Sequence, residues 1–255
     1  MLHNQSNGSN DRRPAGADER PAQFSFAFQP IVDLESGEVI GQEALVRGNF
    51  GEAADTVLQT IRAEIRELYD QACRKRAMEV AGRLGIDVPL HLNCAGVTPA
   101  NLEQVLKDTV TLARHYGIDP GSLVFEFGRL EPLGSPRELN DVRERCASAG
   151  IQVLADNFGS SEVGLKRLVV FRPQWLKLDR NLVDRIHCSE RRQALVHGVL
   201  ATCRMLGIEV IASGVEHEDE VQWLRGAGVR YAQGFLFSRP AFESLPRVKP
   251  VRLSA

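Results

Sequence analysis

Short apolar runs alternate with stretches of helical periodicity from about residue 26 to residue 237, and few architectures accept that pattern. FAFQPIVDL (26–34) and EVIGQEALV (38–46) read as two strands joined at Ser36-Gly37, the signature of a hairpin. Between 54 and 84, Val57, Ile61, Ile65, Leu68, Ala72, Ala77, Val80 and Leu84 recur at helical spacing, so one long helix is expected. Further strands are expected at 89–94, 123–127, 151–157, 175–179, 209–214 and 230–237. Further helices fall over 99–116, 135–149, 161–169, 189–206 and 217–226. Strand–helix alternation on this scale predicts an α/β fold, a closed (βα)8 TIM-type barrel whose opening hairpin supplies one antiparallel strand. A doubly wound open sheet is the alternative, but no glycine-rich phosphate turn follows the first strand.

Composition limits the function classes. The 255 residues are 43% hydrophobic and 25% charged, an ordinary globular balance. The net charge of −2 offers no basic excess for nucleic-acid phosphates, so no direct nucleic-acid binding is expected. No apolar run reaches the roughly 18 residues of a membrane span. The first 23 residues are polar, without the apolar segment of a secretory signal, and are expected to form a disordered tail on a cytoplasmic protein. Residues 24–242 are expected to be a single barrel domain, and 243–255 a solvated tail. Five widely spaced cysteines without a Cys-x-x-Cys pair indicate neither a disulfide framework nor a thiolate zinc site.

The expected strand ends carry the chemistry. Glu43, Asn93, Glu126, Asp156, Lys177, Asp179, Glu216 and Gln233 all lie at or just beyond the C-terminal part of an apolar strand. In a (βα)8 barrel those ends converge on the face where active sites sit. Oxygen donors without histidine or thiolate partners favour a hard cation, Mg²⁺ or Mn²⁺, and such ions commonly also engage substrate phosphates. His91, His115, His187, His197 and His217 do not fall at ligand spacing and read as surface or core residues, and Cys94 as core filling. The acidic run from Glu216 to Glu220 reads as a helix N-terminus.

The ordered series Gln29-Pro-Ile-Val, Glu43-Ala-Leu-Val-Arg47, Leu92-Asn93, Phe125-Glu126, Ala155-Asp156-Asn-Phe-Gly159, Lys177-Leu-Asp179, Gly214-Val-Glu216 and Gln233-Gly234 resembles the EAL domain of bacterial cyclic di-GMP phosphodiesterases. The likeness runs from about 24 to 242. It implies a site where two divalent cations and a bridging water cleave a phosphodiester to the linear dinucleotide pGpG. It implies one metal held by Glu43, Asn93, Glu126 and Asp156, and Arg47 on a ligand phosphate. Gln233, Asp179 and Glu216 would lie with the ligand, and Lys177 would orient or polarise the attacking water.

Several positions depart from the family pattern. Asn157 stands where the family has the second aspartate of Asp-Asp-Phe-Gly, Ser213 where it has a glutamate, and Arg129 where it has another acid. Ser161-Glu162 replaces the family's Gly-Tyr in a loop that couples site to dimer interface, so whether this chain forms a homodimer stays open. The missing Asp and Glu are the family's ligands to the second cation. Two-metal hydrolysis needs both ions, and losing one such electrostatic element costs about 3 kcal/mol or more. Glu43 would be essential to any remaining turnover. Glu216 or Glu218 are the residues available to rescue a second metal. The favoured reading is an impaired enzyme acting as a cyclic di-GMP receptor or through a protein partner, with Mg²⁺ or Mn²⁺ at one site. The alternatives are a working phosphodiesterase and a scaffold that has lost ligand binding.

Overall fold

The structure, a computed structural model, describes residues 24–48, 52, 66–160 and 164–249. The chain enters the fold through a hairpin of β1 (Phe24–Asp33) and β2 (Val39–Gly48), paired antiparallel from Phe24↔Gly48 to Val32↔Val39. Gly37 closes the turn at φ 76°, a left-handed conformation that glycine adopts without steric cost. Parallel strands follow: β3 (Leu90–Asn93), β4 (Leu123–Phe127), β5 (Gln152–Phe158), β6 (Trp175–Leu178), β7 (Glu209–Ser213) and β8 (Tyr231–Gln233). β8 returns to β1 antiparallel, and the β1–β2 pairing closes an eight-stranded barrel. The expected barrel with one antiparallel strand is therefore the observed fold.

Helices α1 (Arg66–Leu84), α2 (Leu102–His115), α3 (Pro136–Ser148), α4 (Leu165–Phe171), α5 (Arg180–Val183), α6 (Glu190–Leu206) and α7 (Glu218–Gly226) lie between the strands. Their starts follow local chemistry. Ser135 accepts from the Glu138 amide while Glu138 reaches back to the Ser135 amide, and Pro136 opens α3 without an amide hydrogen to satisfy. The helix expected over 54–84 is seen from Arg66, and its earlier part lies outside the described residues. So does the expected N-terminal tail.

Two features differ from expectation. The run 230–237 ends as a strand at Gln233, because the chain turns there onto the loop after β7. Val215 N donates to Gln233 O and Leu236 N to Val215 O. A further short strand, β9 (Ala241–Phe242), adds to the outer half of β1. Glu243, expected to begin a solvated tail, is anchored: it accepts from Ser25 and pairs with Arg76 at 2.9 Å and with Arg83.

Strand side chains alternate between barrel interior and helix layer. Phe28, Phe125 and Phe127 face the helices, and Phe127 packs edge-on against Phe171 of α4, ring centroids 5.8 Å apart. Inside, Ile31, Val124, Leu154 and Ile211 form a separate apolar cluster with Trp175 and Tyr231 packed against it. That cluster is the floor. Two residues further along their strands come Glu126, Asp156, Lys177, Ser213 and Gln233, one step nearer the mouth.

Candidate functional site

Lys177 is the centre of the polar layer. Its side chain is 3% exposed, and its Nζ donates to Glu126 Oε1 at 2.7 Å and Oε2 at 2.8 Å. Glu43 Oε2 lies 3.1 Å from the same ammonium and accepts from Gln233 Nε2 at 2.8 Å. Four strands, β2, β4, β6 and β8, thereby meet through direct contacts. Asp156 on β5 joins the group electrostatically. Asn93 ends β3 in register with Glu126 and is exposed toward the mouth.

Three carboxylates around one ammonium leave an excess of negative charge. Burial and the neighbouring Glu43 charge push Glu126 up to about 8, against the opposing pull of Lys177. Asp156 is raised to about 7, by burial first, with Lys177 opposing and Glu126 and Glu43 adding to the rise. Burial works against the Lys177 ammonium, but the three acids more than offset it and hold its proton on. Glu43 is also opposed by burial, yet Lys177 and Gln233 bring it below the ordinary carboxylate value. Such a layer is short of positive charge. The donors fit a hard cation by chemistry, with Glu43, Asn93, Glu126 and Asp156 as the residues that would hold it. The present rotamers are organised around Lys177 instead. Among the described residues no three His, Cys, Asp or Glu side chains are grouped as a metal cage.

The remaining expected site residues have local partners. Arg47 is half-buried at the end of β2, donates to Val46 O at 2.7 Å, and feels the Glu43 charge. Asp179 caps α5, accepting from the Asn181 amide at 2.8 Å. Glu216 pairs with Arg180 at 2.8 Å. Among the described residues, neither acid makes a hydrogen bond or ion pair with the Lys177 group. Glu218 opens α7, as the helix-start reading of that acidic run expects.

Three of the departures from the family pattern lie at or just after strand ends at the same mouth, and Ser161-Glu162 lies outside the described residues. Asn157 is exposed in β5 with φ 57°, and its Nδ2 lies over Gly128. Asparagine tolerates that left-handed conformation, so the backbone shape survives while the charge does not. Ser213 ends β7 beside Gln233. Gly214 follows at φ 77°, where a Cβ would meet the Arg180 side chain at 2.7 Å. Arg129 is exposed after β4.

One residue of the cluster was not anticipated. His91 on β3 is 1% exposed, and its Nδ1 lies 2.9 Å from Glu126 Oε1. Its position two residues before Asn93 on an expected strand is the signal that places it on the interior face.

Residues 17–240 match the family model described as the EAL domain. The chain belongs to the EAL domain family. It is 29% identical over 227 residues to the blue light- and temperature-regulated antirepressor BluF of Escherichia coli, covering 88% of this chain and 56% of BluF. It is 28% identical over 230 residues to the cyclic di-GMP phosphodiesterase RocR of Pseudomonas aeruginosa, covering 86% of this chain and 57% of RocR. The chain thus spans little more than half the length of these two relatives. Among solved structures, a standalone EAL protein from Vibrio cholerae O395 in its c-di-GMP-bound form superposes with TM-score 0.84. That pair shares 35% identity over 92% of this chain and 99% of the other. Klebsiella pneumoniae BlrP1, solved with manganese and cyclic di-GMP, gives TM-score 0.80 and 32% identity over 88% of this chain and 57% of BlrP1. An EAL domain is a metal-dependent module of cyclic di-GMP signalling, and this chain carries its barrel. No helix among the described residues is long and apolar enough to cross a membrane.

Proposed function

We propose that this EAL domain binds cyclic di-GMP at the barrel mouth and hydrolyses it poorly or not at all, acting as a receptor or through a protein partner. One observation carries the reading: the two family positions that supply charge to a second cation are Asn157 and Ser213, both neutral, at the ends of β5 and β7. A single Mg²⁺ or Mn²⁺ would be held by Glu43, Asn93, Glu126 and Asp156. It would supply charge for a phosphate, and Arg47 would contribute a second positive group from β2. Without a second ion the leaving oxygen is poorly stabilised. BluF, named as an antirepressor, gives the regulatory version a precedent among relatives.

The second reading is a working phosphodiesterase. It is favoured by the retained contacts of Lys177 with Glu126 and Glu43 and by relatives named as cyclic di-GMP phosphodiesterases. The test is product formation from cyclic di-GMP with excess Mg²⁺ or Mn²⁺, alongside calorimetric binding in Ca²⁺. Binding without turnover in the native protein, with turnover in Asn157→Asp/Ser213→Glu, supports the receptor. Robust native turnover abolished by Glu43→Ala overturns it in favour of the enzyme. Failure to bind overturns both.

A further inference from the structure

We propose that His91 is a positioning residue for the cation site, fixing the Glu126 carboxylate from beneath. The inference rests on the cation site of the proposed function and goes beyond it, to a residue outside the expected ligand set.

Three observations converge. His91 lies inside the barrel between the apolar floor and the carboxylate layer, its Nδ1 2.9 Å from Glu126 Oε1. The fold makes room for the ring. At the interior position of β2 two residues before Glu43 stands Gly41, where a Cβ would lie 3.0 Å from His91 Nε2 and 3.2 Å from Cδ2. A buried polar side chain in an otherwise apolar stratum is costly unless its hydrogen bond is made, and Glu126 is the partner.

The chemistry follows from the donor inventory. A carboxylate that ligates a cation is ionised and can only accept. With a cation on Glu126, the hydrogen would sit on His91 Nδ1 and His91 would donate. Lys177 approaches Glu126 from β6 and His91 from β3, so two donors from different strands fix the plane of one carboxylate. Oε1 then faces both Lys177 and His91, while Oε2 has Lys177 as its one partner among these donors, at 2.8 Å. Such supporting hydrogen bonds commonly change metal affinity about 10- to 100-fold.

The test separates positioning from packing. Mn²⁺ binding by calorimetry and metal-free thermal unfolding are measured for the native protein and for His91→Leu, His91→Phe and His91→Asn. Leu and Phe fill space without a donor, and Phe serves if Leu does not fold. Asn places an amide N–H near the position of Nδ1. The expected result is Mn²⁺ affinity weakened about tenfold or more in Leu or Phe, with metal-free unfolding unchanged or raised. Asn is expected to recover most of the lost affinity. Equal Mn²⁺ affinity in the native and donor-free proteins overturns the role of His91 alone and leaves the cation site standing. An Asn variant as weak as Leu overturns it likewise. Native protein that binds no Mn²⁺ overturns the cation site and this inference together.

Discussion

Lys177 has two relationships to the carboxylates around it, and both follow from burial. Without a metal ion its ammonium is the positive charge that lets Glu43 and Glu126 share a barrel interior. Removing one partner of a buried ion pair leaves uncompensated charge and costs about 3–5 kcal/mol. Lys177→Met is therefore expected to lower metal-free stability by that order in denaturant unfolding. Added Mn²⁺ should restore more stability to this variant than to the native protein, because the ion takes over the missing charge. An unchanged unfolding midpoint would mean that the acids are neutral without Lys177. The acids gathered around Lys177 were legible in the sequence because strand ends of a barrel converge. His91 was not, because its partner is a carboxylate 35 positions away rather than a second histidine at ligand spacing. Asp179 and Glu216 looked the same as Glu126 in sequence, yet a cap and an ion pair to Arg180 engage them locally.

At the scale of elements, the hairpin is tied to the neighbouring strand β8 by one carboxylate. Asp33 Oδ1 accepts from the Glu35 amide at 2.8 Å, while Oδ2 accepts from Arg230 Nε at 2.9 Å and Nη2 at 2.7 Å. The Arg230 hydrogen bond, opposed by burial, holds Asp33 below its ordinary 3.8. A depressed folded pKa gives stability that is full above the unfolded value and lost as pH falls through the folded one. Asp33→Asn keeps the turn acceptor and removes the charge. It should cost about 1 kcal/mol at pH 7, a modest figure because Arg230 is half exposed. The difference should shrink as pH falls below the ordinary value and through the lowered folded one, in chemical unfolding at each pH. A difference that persists in acid would assign the effect to shape rather than charge. Elements with strong local signals, such as LVFEF in β4 and the helix expected over 135–149, stood where the sequence placed them. β9 left no such signal, since two residues become a strand only when β1 offers an open edge. The apolar run after Gln233 looked like more strand. Its ending is tertiary: a Cβ at Gly234 would lie 1.9 Å from Val215 O, so the chain turns where another loop presses on it.

Across the whole molecule, the proposed cation and nucleotide site draws on strands distributed around a closed sheet, so it cannot form before the barrel does. Site occupancy and global unfolding are consequently linked. A ligand at a hundred times its Kd adds about 2.7 kcal/mol to the folded state. For a domain of this size each kcal/mol moves the Tm by about 2–4 °C, which predicts a rise of about 5–10 °C with saturating cyclic di-GMP and Ca²⁺. Glu43→Ala separates ligand recognition from folding. Glu43 is not the only acid on Lys177, since Glu126 keeps both of its short contacts. The variant is therefore expected to fold while losing most of the ligand-dependent shift in a thermal scan. Arg47→Ala should also reduce the shift, and the residual effect of raising ionic strength should be smaller than in the native protein, because one proposed phosphate partner has gone. A full shift in Glu43→Ala would place the nucleotide elsewhere on the barrel, and the mouth would then lose its claim to be the binding site.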